Sequence, residues 1–327
     1  MILVLVETDA DGATLTSREA LTFARELATR TGAPGVEAVV VGPIDDGVRD
    51  VLVRELGAQG VERIRHAQST QLSAYSAAAW AASVVEAAPE SGLVVASGTP
   101  RGNEILAHVA VRLGAVMAAN VVAVDDADPL TVSRQVLGGS AMEEMRLAGS
   151  VAVLSVAGHA VEPTPATEPT EPEVAGFEPA IAERDLVGRV QRTEEDSGDD
   201  TSALTGARVV VGAGRGAGAA DGFDDLLELV DLLDGALGVS RVVTSLGWRP
   251  HHEQVGQTGS RIAPDVYIAC GISGAIQHWA GCQSAKTIVA VNTDEDAPMV
   301  TRADYAIIGD LHEIVPAINE ELRSRAG

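Results

Sequence analysis

The chain has 327 residues, of which 46% are hydrophobic, 21% charged and 3% aromatic, enough length for two domains and enough apolar material to exclude wholesale disorder. Its 23 Lys and Arg stand against 47 Asp and Glu, a formal net charge of −24 that repels phosphate backbones and anionic lipids, so nucleic acid and membrane surface are poor partners. The 2 cysteines, Cys270 and Cys282, exclude a disulfide framework, a four-thiolate zinc site and an iron–sulfur cluster, and they suit a reducing cytoplasm.

Lys286 is the single lysine. An acidic chain nearly free of lysine has the composition of a salt-adapted protein, whose self-repulsion is screened at high ionic strength. A GC-rich genome would account for the missing lysine but not for the excess of acid. Met1–Val6 lacks a basic flank and a cleavage site and reads as a buried strand, and no apolar window is long enough for a membrane span.

In chain order, the first half alternates strand and helix patterns. Ile2–Val6 predicts a strand. Thr16 and Glu19 have the spacing of a capping box, and a helix to about Arg30 follows. Val36–Val41 (strand), Asp45–Leu56 (helix), Val61–Arg65 (strand), Leu72–Ala88 (helix) and Leu93–Ala96 (strand) come next. After a turn at Ser97–Pro100, a helix spans Asn103–Leu113. Asn120–Val124, Leu130–Val136 and Ser150–Val156 have no crossover helix between them, which predicts antiparallel strands at one edge. The polar turn Thr99–Glu104 reads as a helix cap rather than a partner contact. Val-rich strands alternating with helices predict an α/β fold with a mainly parallel sheet flanked by helices.

Composition then shifts. Five prolines punctuate Pro163–Pro179, and Glu194–Asp200 is acidic around Ser197 and Gly198. Residues 157–203 read as a linker and surface arm, with a short ordered piece near Ile181–Val190, between an N-terminal α/β domain at 1–156 and a C-terminal domain at 204–327. The second half restarts the alternation: strands at Arg208–Val211, Val239–Val243, Val266–Cys270, Thr287–Val291 and Tyr305–Ile308, with helices at Phe223–Leu233, Ala275–Trp279 and Leu311 to about Arg323. This predicts a second mainly parallel sheet, doubly wound.

Gly212-Ala213-Gly214-Arg215-Gly216-Ala217 matches the glycine fingerprint of dinucleotide-binding folds. The strand that follows carries Ser240 and Arg241 and lacks the acid that would hold a ribose. The fingerprint is weak. The stronger signal is that polar or glycine clusters follow strand after strand: Ser240 and Arg241; the loop with Gln254, Gln257 and Thr258; Gly271, Ser273 and Gly274, then Gln277 and His278 on a helix; Asn292; Asp310. In an open parallel sheet these strand ends line one crevice, where an extended, phosphate-bearing ligand fits and helix N-termini attract its charge. Singly, each has a plainer reading: a tight turn at Gly271–Gly274, a core histidine at 278, an arginine at 241 paired with a carboxylate, and a turn residue and N-cap at 292 and 310. A hydrolase using Ser273, His278 and an Asp is the reading from another class, although Gly271-Ile272-Ser273-Gly274-Ala275 is not a nucleophile elbow. The histidines of Trp248–His252 suit a surface loop better than a metal site.

The string from Gly238 through Gln254-Val255-Gly256-Gln257-Thr258-Gly259, Ala263–His278, Ile288–Asn292 and Ala303-Asp304-Tyr305 resembles the α subunit of electron transfer flavoprotein, densely over Arg208–Leu322 and more loosely before it. The resemblance implies FAD held by residues 204–327. In the family, the arginine matching Arg241 lies beside the isoalloxazine, the residue matching Thr258 donates its hydroxyl to flavin N5, and the histidine matching His278 lies near the pyrimidine carbonyl. Gln257 and Gln277 pass near the flavin. Gly271, Ser273 and Gly274 match the pyrophosphate contacts, and Asn292 and Asp310 match the ribose and adenine end. Ser240 and Gln254 fall in the same motifs. Thr293 stands where the family commonly has a lysine. The resemblance further implies a heterodimer with a β subunit, in which the flavin takes electrons from acyl-CoA-type dehydrogenases in fatty acid β-oxidation and passes them to a membrane quinone oxidoreductase. The expected protein is a cytoplasmic electron carrier rather than an enzyme transforming a substrate. A bifurcating relative oxidising NADH and a non-redox adenine-nucleotide-binding module remain as alternatives.

Overall fold

The computed structural model describes residues 1–90, 92–139, 141–192 and 202–326. The chain divides into two units, Met1–Leu137 with Ala141–Glu194, and Glu195–Gly327 with Gly138–Ser140.

In the first unit β1 (Ile2–Leu5) leads through a two-stranded ribbon, β2 (Thr8–Asp9) and β3 (Gly12–Ala13), into α1 (Leu15–Thr31). Thr14, not Thr16, caps that helix. Its side chain accepts from the Ser17 N–H, while Glu19 is buried and accepts from the His159 N–H. There follow β4 (Val36–Val41), α2 (Asp46–Ala58), β5 (Arg63–Ala67), α3 (Ala77–Ala87), β6 (Gly92–Ser97), α4 (Pro100–Leu113), β7 (Val116–Ala127), β8 (Leu130–Val136), β9 (Ala141–Arg146), β10 (Val151–Val156) and β11 (Glu173–Phe177). The sheet order is β11-β5-β4-β1-β6-β10-β7-β8-β9.

The central strands β1, β4 and β10 are apolar along almost their whole length, as strands covered on both faces must be. That burial corrects the expectation for Ser150–Val156. β8 and β9 are antiparallel at the edge as expected, but β10 inserts between β6 and β7, parallel to both. The β8–β9 excursion serves as the crossover in place of a helix. Within the expected arm, β11 pairs parallel with β5, and a 3-10 turn at Glu183–Leu186 buries Asp185 against Arg112. The acidic stretch Glu194–Asp200 lies outside the described residues.

The second unit runs α5 (Ser202–Gly206), β12 (Val209–Ala213), α6 (Asp224–Leu232), β13 (Ala236–Val239), α7 (Arg241–Ser245), β14 (Val266–Cys270), α8 (Ile276–Cys282), β15 (Thr287–Asn292), α9 (Pro298–Arg302), β16 (Tyr305–Ile308) and α10 (Leu311–Ala326). Its sheet is wholly parallel, in the order β13-β12-β14-β15-β16. The chain steps to one side of β12 and then to the other, so β12 and β14 flank a topological switch point where strand ends splay apart.

Two of the boundaries that differ from expectation bear on the crevice. The strand expected at Val239–Val243 ends at Val239, and Ser240 and Arg241 start a short helix beyond it. The helix after β14 begins at Ile276 and has 7 residues, because Gly274, at φ 80°, turns the chain first.

Candidate functional site: the crevice at the carboxyl ends of the second sheet

The turns after all five strands of the second sheet line one cavity of 780 Å³, with Gln254–Thr258 and the start of α8 forming a further wall. That volume lies within the roughly 300–1,000 Å³ of cofactor and small-molecule pockets. All twelve residues singled out in the sequence meet there: Ser240, Arg241, Gln254, Gln257, Thr258, Gly271, Ser273, Gly274, Gln277, His278, Asn292 and Asp310.

The glycines of the weak fingerprint have packing reasons. A Cβ at Gly212 would sit 2.2 Å from the hydroxyl oxygen of Tyr267. One at Gly214 would sit 2.1 Å from the Gly271 carbonyl, and one at Gly216 would sit 2.6 Å from the Gly271 Cα. These glycines let β12 and its turn close on β14 and on Gly271, whose φ of 61° itself favours glycine.

The cavity wall mixes satisfied and open polar groups. Gln254 is 2% exposed. Its Oε1 accepts from the Thr244 hydroxyl at 2.6 Å, and its Nε2 donates to Thr258 Oγ1 at 3.1 Å. Thr258 Oγ1 therefore receives its hydrogen bond from inside the wall and keeps its own proton for the cavity. Asn292 is spent on structure: Nδ2 donates to the Ile272 carbonyl and Oδ1 accepts from the Asp294 N–H, pinning the Gly271 turn to β15. Asp310 accepts from the His312 N–H at the start of α10, so it caps a helix while lining the cavity.

Three features lack partners among the described residues. Ser240 Oγ is buried and makes no hydrogen bond. The guanidiniums of Arg215 and Arg241 line the cavity with no ion pair among the described residues, although the chain carries 47 carboxylate side chains. The carboxylate-paired reading of Arg241 does not hold. By contrast, Arg249 outside the cavity is held by Glu253 through two hydrogen bonds. Unpaired cations beside a buried, unsatisfied hydroxyl form a wall that gains its missing contacts from an anionic ligand with hydrogen-bonding oxygens.

His278 is 6% exposed. Its Nε2 lies 2.8 Å from the hydroxyl of fully buried Tyr267, and its Nδ1 makes no aligned hydrogen bond. Burial pushes its pKa down to about 4, against a smaller upward pull from the Val255 carbonyl, so the ring is neutral near pH 7. With Nε2 engaged by Tyr267, the serine–histidine bond that a hydrolase needs is not made. Cys270 and Cys282 are buried free thiols pushed up to about 12 by burial, which keeps them protonated and unreactive.

Arg215 and His312 also line the cavity, and Tyr267 stands behind His278, three residues not singled out in the sequence. Arg215 follows the first strand of the sheet, as Arg241 follows the second, and that position was its available signal. Tyr267 lies inside a strand and gave none. In the first unit the Thr99 side chain accepts from the Gly102 N–H, a helix cap as expected. Among the described residues no group of three or more His, Cys, Asp or Glu could hold a metal, and no helix is long and apolar enough to cross a membrane.

A wholly parallel, switch-point α/β unit with an anion-ready crevice belongs to the class of cofactor-binding doubly wound domains. Residues 203–283 match the family model described as electron transfer flavoprotein FAD-binding domain, and residues 2–182 match the electron transfer flavoprotein domain. The chain is 38% identical to the electron transfer flavoprotein subunit alpha of Mycobacterium tuberculosis, covering 100% of this chain and 99% of that one. It is 37% identical to the subunit alpha of Mycobacterium leprae over 99% of each chain. It is 32% identical to that of Thermoanaerobacterium thermosaccharolyticum, covering 93% of this chain and 92% of the other. The chain belongs to the electron transfer flavoprotein α-subunit family.

Proposed function

We propose that this chain is the α subunit of a heterodimeric electron carrier and holds FAD in the crevice of its second unit. The observation that carries the reading is the cavity itself, which has two unpaired guanidiniums and an unsatisfied Ser240 hydroxyl where an extended, anionic ligand would lie. Bound FAD supplies one- and two-electron chemistry; the chain's part is to bind, orient and tune it. In this reading Arg241 lies beside the isoalloxazine, where a fixed positive charge favours the reduced, anionic ring over the oxidised one. Thr258 offers its hydroxyl proton to flavin N5. His278, with Gln257 and Gln277 nearby, faces the pyrimidine edge. Gly271, Ser273 and Gly274 face the pyrophosphate, with Arg215 as the charge that the absent lysine at 293 would otherwise bring. Asn292 and Asp310 shape the ribose and adenine end through the turns they hold.

The domain roles follow the same reading. Residues 1–156 contact the β subunit, residues 157–203 link and brace, and residues 204–327 carry the flavin. The donors are acyl-CoA-type dehydrogenases and the acceptor is a membrane quinone oxidoreductase, in the cytoplasm of a salt-adapted cell. A bifurcating carrier with a second flavin in the β subunit, oxidising NADH, is the rival assignment.

The test is an absorption spectrum of the chain purified with its genomic neighbour at high salt, followed by reductive titration. One FAD per heterodimer without NADH oxidation is the expected result. Two flavins with NADH oxidation would select the bifurcating assignment, and a colourless heterodimer that takes up no added FAD would refute the flavin site.

A further inference from the structure

Gly212, Tyr267 and His278 stack from the sheet to the cavity wall. Gly212 leaves room for the phenol, and Tyr267 is 0% exposed and reaches His278 Nε2 at 2.8 Å. No other hydrogen-bond partner of the Tyr267 hydroxyl occurs among the described residues. Burial raises the Tyr267 pKa well above its ordinary value, so the group is a neutral phenol with a proton to place.

Two arrangements of that proton are conceivable. If His278 carried its proton on Nε2 and donated it to Tyr267, the phenol proton would be buried with no acceptor. The bare Nδ1 lone pair would then lie on the ring's other side, with the Val255 carbonyl nearby. Both cost free energy, because buried donors need acceptors and facing lone pairs repel. If Tyr267 donates to Nε2 instead, the imidazole proton sits on Nδ1 and both conflicts disappear.

We infer that Tyr267 is a positioning residue that holds His278 in the Nδ1–H tautomer, so that the buried Nδ1 beside the crevice wall turns a donor rather than a lone pair toward the Val255 carbonyl and toward any acceptor oxygen brought next to it. Its use toward a flavin carbonyl rests on the function proposed above; the tautomer does not. Gly212 thereby serves the site indirectly, through the room it gives the phenol.

The test is ¹⁵N NMR of histidine-labelled chain in complex with its β subunit. The His278 signal is identified among the 7 histidines by its loss in His278→Gln. The expected wild-type pattern is a protonated Nδ1 and an accepting Nε2. Tyr267→Phe removes the donor and lowers the Nδ1–H to Nε2–H ratio by about fivefold, the scale of one buried hydrogen bond. Should that variant fail to fold, wild-type protein labelled with fluorotyrosine keeps the ring and strengthens the donor, and the His278 Nε2 resonance shifts toward a stronger bond. Of the other two tyrosines, Tyr75 donates to Glu104 and Tyr305 is exposed on β16, and neither bonds His278, so their labelling leaves it untouched. A proton found on Nε2 in the wild type, or an Nε2 resonance and tautomer ratio indifferent to both changes, would overturn the inference. The absorption spectrum of the same samples keeps the two readings separate. A colourless sample with the expected tautomer overturns the flavin reading alone, and a flavin-loaded sample with an indifferent tautomer overturns the role of Tyr267 alone.

Discussion

Replacing Gly212 with Ala adds one methyl group to a buried strand. The added Cβ would lie 2.2 Å from the Tyr267 oxygen and 2.5 and 2.6 Å from two of its ring carbons. The ring is fully buried and cannot swing into solvent. Overpacking of this kind costs about 1–3 kcal/mol. Displacing the phenol also loses its hydrogen bond to His278, about 1 kcal/mol more, while the smaller backbone entropy of Ala in the unfolded chain returns about 0.5 kcal/mol. The net expectation is a loss of about 1.5–3.5 kcal/mol, which lowers the urea midpoint of the second unit by about 1–2 M. A double-mutant cycle measured by circular dichroism in urea isolates the cause. In a Tyr267→Ala background the methyl group meets no ring, so Gly212→Ala there costs little or is stabilising. If the substitution costs as much with Tyr267 absent as present, the close approach is not the reason for this glycine and the reasoning fails.

Three further outcomes are expected. Arg241→Ala in the heterodimer weakens FAD retention about tenfold to a hundredfold, the range for a lost hydrogen bond to a charged group; flavin fluorescence during dilution reads this, and unchanged retention would remove Arg241 from the site. His278 titrates near 4 in the folded chain against 6.5 for the free group, because burial disfavours the imidazolium. The unfolded state thus binds the extra proton between those values, so this histidine makes stability fall as pH drops from about 6.5 toward 4; His278→Gln flattens that segment of the stability curve relative to wild type, and parallel curves would contradict the burial argument. Raising salt from 0.1 to 1 M shortens the screening length from about 10 to 3 Å; a chain with a net charge of −24 should gain thermal stability, and a melting temperature indifferent to salt would sink the salt-adaptation reading.

Much of the site was legible because it lies in loops. A ligand crevice at strand ends draws its residues from the turns directly after apolar runs, so Ser240, Gly271–Gly274, Asn292 and Asp310 are marked together by their recurrence after strand after strand, although none is marked singly. What those residues do was less legible. Asn292 proved to be a strut and Asp310 a cap as well as a lining residue, because hydrogen-bond partners such as the Ile272 carbonyl are distant in sequence. β10 was misplaced for a related reason. Antiparallel hairpins are local, whereas strand insertion between β6 and β7 is a choice among distant partners, made by the burial of both faces of Val151–Val156.

The α/β alternation, the break in composition after β10, the acidic surface and the order in which crevice residues come off the strands are all written in the sequence. These depend on periodicity, turn chemistry and charge, which neighbouring residues express without help. Three things come from the folded structure alone: Arg215 and Arg241 have no ion pair among the described residues, Gln254 orients Thr258, and Gly212 opens room for the phenol that holds His278. Each of those depends on which buried groups find partners across the sheet, and that is settled by three-dimensional packing rather than by spacing along the chain.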